Sequence, residues 1–251
     1  MAGRDMEKPA PPAVFAWLVH LLTSTGAIWA LLALAEILDR DWAMALLWLL
    51  VALAVDGIDG GLARWAHVKT RAPRIDGEAL DLIVDYLNYV FVPTIFMWRA
   101  GLMPAALAPW LAAAIQVSSL YLFTRRDMKS ADNYFLGFPA LWNLVAFYLF
   151  VTGAGPTAGA IVVVALAALT FAPVHFVHPF RVRDYGIWLP VISCLWAASA
   201  CALLWPGWPP GARQAILILS LAGAAILLLM GFLRTLRGPR QLRGEHNPRS
   251  C

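Results

Sequence analysis

The sequence predicts an all-α fold, a polytopic membrane helical bundle of about eight transmembrane helices with both chain ends in the cytoplasm. Three observations predict it. First, 61% of the 251 residues are hydrophobic and only 14% are charged, with a mean hydropathy of +0.69; soluble domains carry about 25% charged residues. Second, a bilayer core needs about 20 apolar residues per helix, and such runs recur at about 13–38, 42–64, 77–99, 102–124, 137–154, 157–178, 184–205 and 212–234. Third, the loops between them alternate without exception between rich and poor in Lys and Arg.

That alternation sets the orientation. The amino end has Arg4 and Lys8, and the first loop only Arg40, between Asp39 and Asp41. The second loop has Arg64, Lys69, Arg71 and Arg74, the third Arg99 alone, and the fourth Arg125, Arg126 and Lys129. The fifth has none, the sixth Arg181 and Arg183, and the seventh Arg213. The tail has Arg234, Arg237, Arg240, Arg243 and Arg249. Eight spans with both ends inside satisfy this pattern. Residues 1–12 read as a polar tail, 13–236 as one membrane domain and 237–251 as a basic tail. Val14–Leu38 is too long for a signal-peptide core and lacks a cleavage pattern.

Composition excludes a soluble domain of any size. The net charge of +4 gives no reason to expect a nucleic-acid partner. The basic residues sit in short loops, which suits an anionic leaflet or substrate. Cys194 and Cys201 share one apolar segment and Cys251 is terminal; no metal or disulfide spacing emerges. The segment RRDMKSADNYFLG between spans four and five reads equally as a headgroup-lying segment or an ordinary loop.

The informative stretch is Asp56–Asp85. It carries Asp56 and Asp59 at the end of span two, and Asp81 and Asp85 at the start of span three. The spacings, i,i+3 and i,i+4, put each pair on one helix face. Pro73 ends any helix reaching Ala72. A new helix is expected near Asp76, an N-cap residue type, with Glu78 suiting its dipole. Four facing carboxylates cannot all ionise unpaired. Either some are protonated or divalent cations sit among them; oxygen ligands without Cys or spaced His indicate Mg²⁺, Mn²⁺ or Ca²⁺. Four carboxylates could hold two ions, the arrangement that serves phosphoryl-type displacement.

Gly57, Gly60 and Gly61 fill the end of span two, although each costs a helix about 1 kcal/mol relative to Ala. Gly57 and Gly61 could serve close helix packing, or a bulky group could approach the backbone beside the acids. Arg64, one turn beyond Gly60, could meet phosphate oxygens bidentately or merely snorkel. Lys69, Arg71 and Arg74 add positive potential at the mouth, or serve topology alone. The residues thus point to a metal-assisted phosphate-ester reaction at the cytoplasmic face of a membrane bundle.

The series Asp56-x-x-Asp59-Gly60-x-x-Ala63-Arg64 … Gly77-x-x-x-Asp81-x-x-x-Asp85 resembles the signature of the CDP-alcohol phosphotransferase family. Most of that family has a shorter interval than the twelve residues, Trp65 to Asp76, found here. The longer interval, the doubled Asp-Gly and the flanks LDLIVDYLNYVFVP, GFPALWNLVAFYLF and FVHPFRV are similar to its bacterial phosphatidylcholine synthase branch. The resemblance covers nearly the whole chain. It implies transfer of the phosphatidyl group of CDP-diacylglycerol to choline with release of CMP, at the cytoplasmic face of a bacterial inner membrane. It implies two divalent ions, Mn²⁺ or Mg²⁺, held by Asp56, Asp59, Asp81 and Asp85, with Asp85 also the base. It implies a CDP site formed by Asp56, Asp59, Gly60, Ala63, Arg64 and Gly77, and a possible homodimer.

A quaternary ammonium is usually held by aromatic faces. Tyr86, Tyr89, Trp142, Tyr148 and Tyr185 are the candidates near the cytoplasmic ends, against their alternative place in an interfacial aromatic belt. Asn88 and Asn143 are polar residues that could line the site, and His175 and His178 could touch a headgroup or phosphate. The nearest rival is the same chemistry with inositol phosphate, glycerol phosphate or serine as acceptor, since Arg125, Arg126, Arg181 and Arg183 could supply a basic cluster. A membrane cation transporter is a more remote rival, because its acids would be expected at the midplane.

Overall fold

The computed structural model describes residues 12–179 and 181–238. The expected tails, with Arg4, Lys8, Arg240, Arg243 and Arg249, fall almost wholly outside the described residues, as does Cys251. Helix α1 (Ala13–Asp39) turns at Arg40, whose φ is 62°, into α2 (Trp42–Trp65), which Asp41 caps by accepting from Met44 N–H at 3.1 Å. The two helices pack along their length. Small buried residues, Ala16, Ala30 and Ala33 on α1 and Ala45 and Ala52 on α2, let the backbones approach, as in membrane helix pairs generally.

After α2 the chain reverses at His67 (φ 51°) through a one-turn helix, α3 (Val68–Arg71). Past Pro73, Asp76 starts α4 (Gly77–Asp85), its Oδ1 accepting from Glu78 and Ala79 N–H at 3.1 Å. A π-helical segment, Tyr86–Phe91, joins α4 to α5 (Val92–Arg99) as one continuous helix. Pro93 follows this widened turn. It has no N–H for the carbonyl four residues back, and Val92 N–H bonds instead to Leu87, five residues back.

The remaining elements are α6 (Ala108–Thr124), β1 (Phe135–Leu136), α7 (Trp142–Val151), α8 (Pro156–Leu169), β2 (His175–Phe176), α9 (Trp188–Leu203) and α10 (Pro210–Arg237). Phe96, Met97, Ile115, Trp142 and Phe147, all fully buried, centre the core among α5, α6 and α7. Many large apolar side chains face outwards, among them Leu31, Trp110, Ile187 and Leu21, a surface suited to lipid rather than water.

Four helices, α1, α2, Gly77–Arg99 and α10, are long and apolar enough to cross a membrane; α6, α7, α8 and α9 are apolar but shorter. Each expected span thus has a helix, but several helices stop short of the expected bounds. In span five, residues 137–141 are non-helical, with Gly137 and Ala140 at positive φ (85° and 54°) and Pro139 between them. Gly137, Phe138 and Ala140 are buried. Their backbone is partnered, Gly137 N–H with Val174 O at 2.8 Å and Phe138 N–H with Leu169 O at 3.3 Å. Irregular backbone is tolerated at membrane depth only when buried in this way.

The 125–137 segment forms no helix. It folds inwards, β1 pairing antiparallel with β2 through Phe135–Phe176 and Leu136–His175. Tyr134 is fully buried, its hydroxyl donating to Asp184 at 2.9 Å. Helix α10 latches both loops: Arg234 Nε donates to Asp132 at 2.6 Å, His175 N–H donates to Thr235 Oγ1 at 2.7 Å, and Gly231 lies under the His175 carbonyl.

Candidate active site

Asp56 lies near the end of α2, and Asp81 and Asp85 lie one and two turns into α4. Each offers a carboxylate oxygen, and the three oxygens lie within 4.8 Å of one another. Ligand oxygens around a hard divalent cation sit about 2.0–2.6 Å from it. Two ligands of one ion are therefore at most about 5 Å apart, so this triad fits one. Like charges this close require a cation or protons between them.

Asp59 stands apart from the triad. It is buried, and its Oδ2 accepts from Thr23 Oγ1 at 2.6 Å. It lines a cleft of about 660 Å³ together with Gly60, Ala63, Arg64, Gly77 and Asp81, a size typical of small-molecule sites. Six of the eight signature positions therefore face one cavity. Asp56 and Asp85 complete the triad next to Asp81 without lining the cleft wall.

The third wall is α1, which the sequence reading left out. It packs against both α2 and α4 and brings Val19, His20 and Thr23 to the cleft. His20 crowds Gly77: a Cβ there would come 2.9 Å from His20 Cε1, so any larger residue would push the ring aside. His20 and Thr23, polar and one turn apart inside an apolar span, were the available signal. Gly60 is different. The nearest groups to a Cβ placed there are Arg64 Nη1 at 3.7 Å and Arg181 Nη2 at 3.8 Å, so its backbone opens onto the cleft between two guanidiniums. At Gly61 a Cβ would meet nothing within 4 Å; within this chain that position serves no close packing.

Of the basic residues at the mouth, Lys69 is paired with Glu78 at 2.6 Å, while Arg71 and Arg74 do not line the cleft. Of Arg125, Arg126, Arg181 and Arg183, only Arg181 lines it, and Arg125 is paired with Asp127 at 2.8 Å. The cation the sequence reading did not assign to the site is Lys129. Its charge acts on Asp56, Asp81 and Asp85, and that of Arg181 on Asp56 and Asp81. Burial, then the Arg181 charge, lower the pKa of the Lys129 ammonium. Burial, then the charges of Lys129, Arg181 and Arg64, push His178 down to about 3, so its ring is neutral at ordinary pH.

The structure does not gather the five aromatic candidates; none lines the cleft. Tyr86 donates to Gln116 at 2.6 Å. Trp142 is fully buried, its Nε1 donating to Ser119 at 2.9 Å. The Tyr148 hydroxyl is held by Trp196 Nε1 and Ser220, and Tyr185 donates to the Met230 carbonyl. Only Tyr89 stands against the acids: it is buried, interacts with Asp56 and Asp85, and its hydroxyl has no partner in good hydrogen-bond geometry. Asn88 donates to the carbonyls of Gly26 at 2.9 Å and Val84 at 3.0 Å, while both amide atoms of buried Asn143 lack partners.

A family model described as CDP-alcohol phosphatidyltransferase matches residues 16–196. The chain is 46% identical over 189 residues to a phosphatidylcholine synthase of Pseudomonas aeruginosa, covering 75% of this chain and 79% of the relative. It is 46% identical over 180 residues to one from Bradyrhizobium diazoefficiens, covering 71% and 67%. It is 34% identical over 227 residues to one from Legionella pneumophila, covering 88% of each. The matched region spans α1 to α9 and includes the whole cleft, and membership in an enzyme family sets the cation-transporter reading aside. The chain belongs to the CDP-alcohol phosphatidyltransferase family.

Proposed function

We propose that this chain is a phosphatidylcholine synthase, transferring the phosphatidyl group of CDP-diacylglycerol to choline and releasing CMP. The observation that carries the reading is the convergence of Asp56, Asp81 and Asp85 at the edge of a cleft lined by the rest of the signature. The acceptor is supported by the printed names of relatives up to 46% identical.

In this reading the cytidine diphosphate lies over Gly60, between Arg64 and Gly77, with Ala63 and Asp59 beside it. Asp85 takes the proton of the choline hydroxyl, which is too weak an acid to ionise unaided. The choline oxygen bonds to the diacylglycerol-linked phosphorus, the bond from that phosphorus to the CMP oxygen breaks, and CMP leaves. Divalent cations, Mn²⁺ or Mg²⁺ and two in number, held by Asp56, Asp81 and Asp85 with Asp59 on the cleft side, would supply neutralisation of the charge on the pyrophosphate. Thr23 orients Asp59. Tyr89, the one aromatic candidate against the acids, is the choice for an aromatic contact to choline. We place eight spans in a bacterial inner membrane, both ends and the active site cytoplasmic, and a homodimer is compatible with this arrangement.

Purified protein given CDP-diacylglycerol, Mn²⁺ and one alcohol at a time tests the proposal. Choline-dependent CMP release is expected. CMP release with glycerol phosphate, inositol phosphate or serine but not choline overturns the acceptor.

A further inference from the structure

We infer that Lys129 and Arg181, neither of which belongs to the signature, close a three-cation grip with Arg64 on the pyrophosphate of the CDP-lipid. The inference rests on the nucleotide-lipid reading above and extends it to two loops distant in sequence. Arg64 and Arg181 flank Gly60 at 3.7 and 3.8 Å from its Cβ position, leaving the space between them over open backbone. The Lys129 ammonium and the His178 ring both lie against Phe135, at 5.0 and 5.4 Å from its ring, and the charges of Lys129, Arg181 and Arg64 all act on His178. Three positive groups thus converge on one place.

Among the described residues none of the three forms an ion pair; the pairs there are Lys69–Glu78, Arg125–Asp127 and Arg234–Asp132. Lys129 is half-buried while Arg64 and Arg181 are exposed, and like charges held this close favour an anion between them. The site carboxylates feel the charges of Lys129 and Arg181 but form no ion pair with them among the described residues. A choline cation would be repelled here, whereas a pyrophosphate offers the oxygens that Arg forks and a Lys point charge bind.

The grip is built into the fold. Lys129 bridges to Phe135, and its ammonium sits 5.0 Å from that ring. The His178 ring lies nearly parallel to the same ring, at 6° and 5.4 Å. Strand β1 carries Phe135, and its partner β2 leads to His178 and Arg181. The α10 latch at Asp132 and His175 fixes both loops, of which that of Arg181 reaches the cleft wall.

Arg181→Gln and Lys129→Gln test the grip by separate titration of the two substrates. Each should raise the CDP-diacylglycerol KM about tenfold or more while moving the choline KM by less than about twofold, and Arg181→Lys should recover part of the loss. A raised choline KM with an unchanged CDP-diacylglycerol KM overturns it, as does no change in either. Binding is read independently by the Tm rise that CDP produces with Mn²⁺ in detergent. It should be present in the wild type and mostly lost in Arg181→Gln; equal rises in both overturn the grip. Failure of choline to release CMP, with the CDP-dependent rise and its loss intact, would refute the acceptor and leave the grip standing.

Discussion

Gly26→Ala should damage the active site without touching any residue that lines it. At Gly26, α1 passes so close to α4 that an added Cβ would overlap Val84 Cγ1, while lying 3.6 Å from Val84 Cβ and 3.4 Å from Asn88 Nδ2. Val84 is buried and directly precedes Asp85. The Asn88 amide, donating to the Gly26 carbonyl at 2.9 Å, ties the same two helices together. Overpacking of this kind costs about 1–3 kcal/mol. Relief requires α4 to move off α1, carrying Asp81 and Asp85 away from Asp56. A displacement of about 1 Å at a reacting centre can cost on the order of 10²-fold in rate. Val84→Ala alone removes two methyl groups, about 2 kcal/mol with the cavity term. In the double variant the methyl added at position 26 meets the retained Cβ of residue 84 at 3.6 Å and Asn88 Nδ2 at 3.4 Å, both ordinary contact distances. The net loss is then one methyl, about 0.8 kcal/mol. The two substitutions should therefore be non-additive by about 2–4 kcal/mol, and the double variant should regain most of its turnover. Thermal unfolding in detergent and choline-dependent CMP release read the two effects. Gly61→Ala is the control: it meets nothing within 4 Å and should gain up to about 1 kcal/mol from helix propensity. Additive losses, or a double variant no better than Gly26→Ala, would refute the close-approach argument.

Three further outcomes are expected. Asp85→Asn should lower turnover by about 10²–10⁴-fold while CDP still raises Tm; near-normal turnover would remove Asp85 as the base. Thr23→Val keeps shape but deletes the 2.6 Å bond to Asp59, a charged-group hydrogen bond worth about 1.5–3 kcal/mol. It should weaken CDP-dependent stabilisation, Thr23→Ser should restore it, and an unaltered shift would mean that Asp59 needs no orientation. His178 is held near a pKa of about 3 by burial and then by Lys129, Arg181 and Arg64. Between that value and the unfolded value of about 6.5 the unfolded chain binds a proton that the folded chain refuses, so stability falls as pH drops. At pH about 5.5 the loss relative to pH about 7.5 should be about 1.4 kcal/mol, and His178→Gln should remove that part of the slope. Identical pH dependence in the two proteins would count against a buried neutral imidazole.

How far the fold could be read from the chain depended on whether a feature is enforced locally. Helices α1, α2, Gly77–Arg99 and α10 follow from apolar runs that leave a membrane-embedded backbone no other way to satisfy its hydrogen bonds. The same hydropathy overshoots at 137–141. A buried extended segment beside Pro139 is as apolar as a helix, and only tertiary partners such as Thr170, against which Gly137 packs, distinguish them. The acids stood out because charges near membrane spans are costly, and Asp76 and Pro73 mark the break between their helices by local chemistry alone. The cleft's other walls carry no such mark. His20 and Thr23 look like tolerated polar residues until α1 is seen to pack against both acid-bearing helices, with Gly26 and Gly77 as the points where it needs room. Lys129 and Arg181 are ordinary positive-inside residues until a two-residue strand pairing and the Arg234–Asp132 latch turn their loops inward. Aromatic content misled for a related reason. A bundle this rich in aromatic residues uses most of them for packing, as Phe96 does between Trp42 and Phe150 at 5.6 and 5.7 Å, so proximity in sequence to the acids says little about facing them. The signature names the groups beside the reacting atoms, while the device that sets their spacing is a first helix outside the signature, with its single glycine, Gly26, at the crossing. A substitution at Gly26 should therefore reach Asp85 as surely as one at its own position.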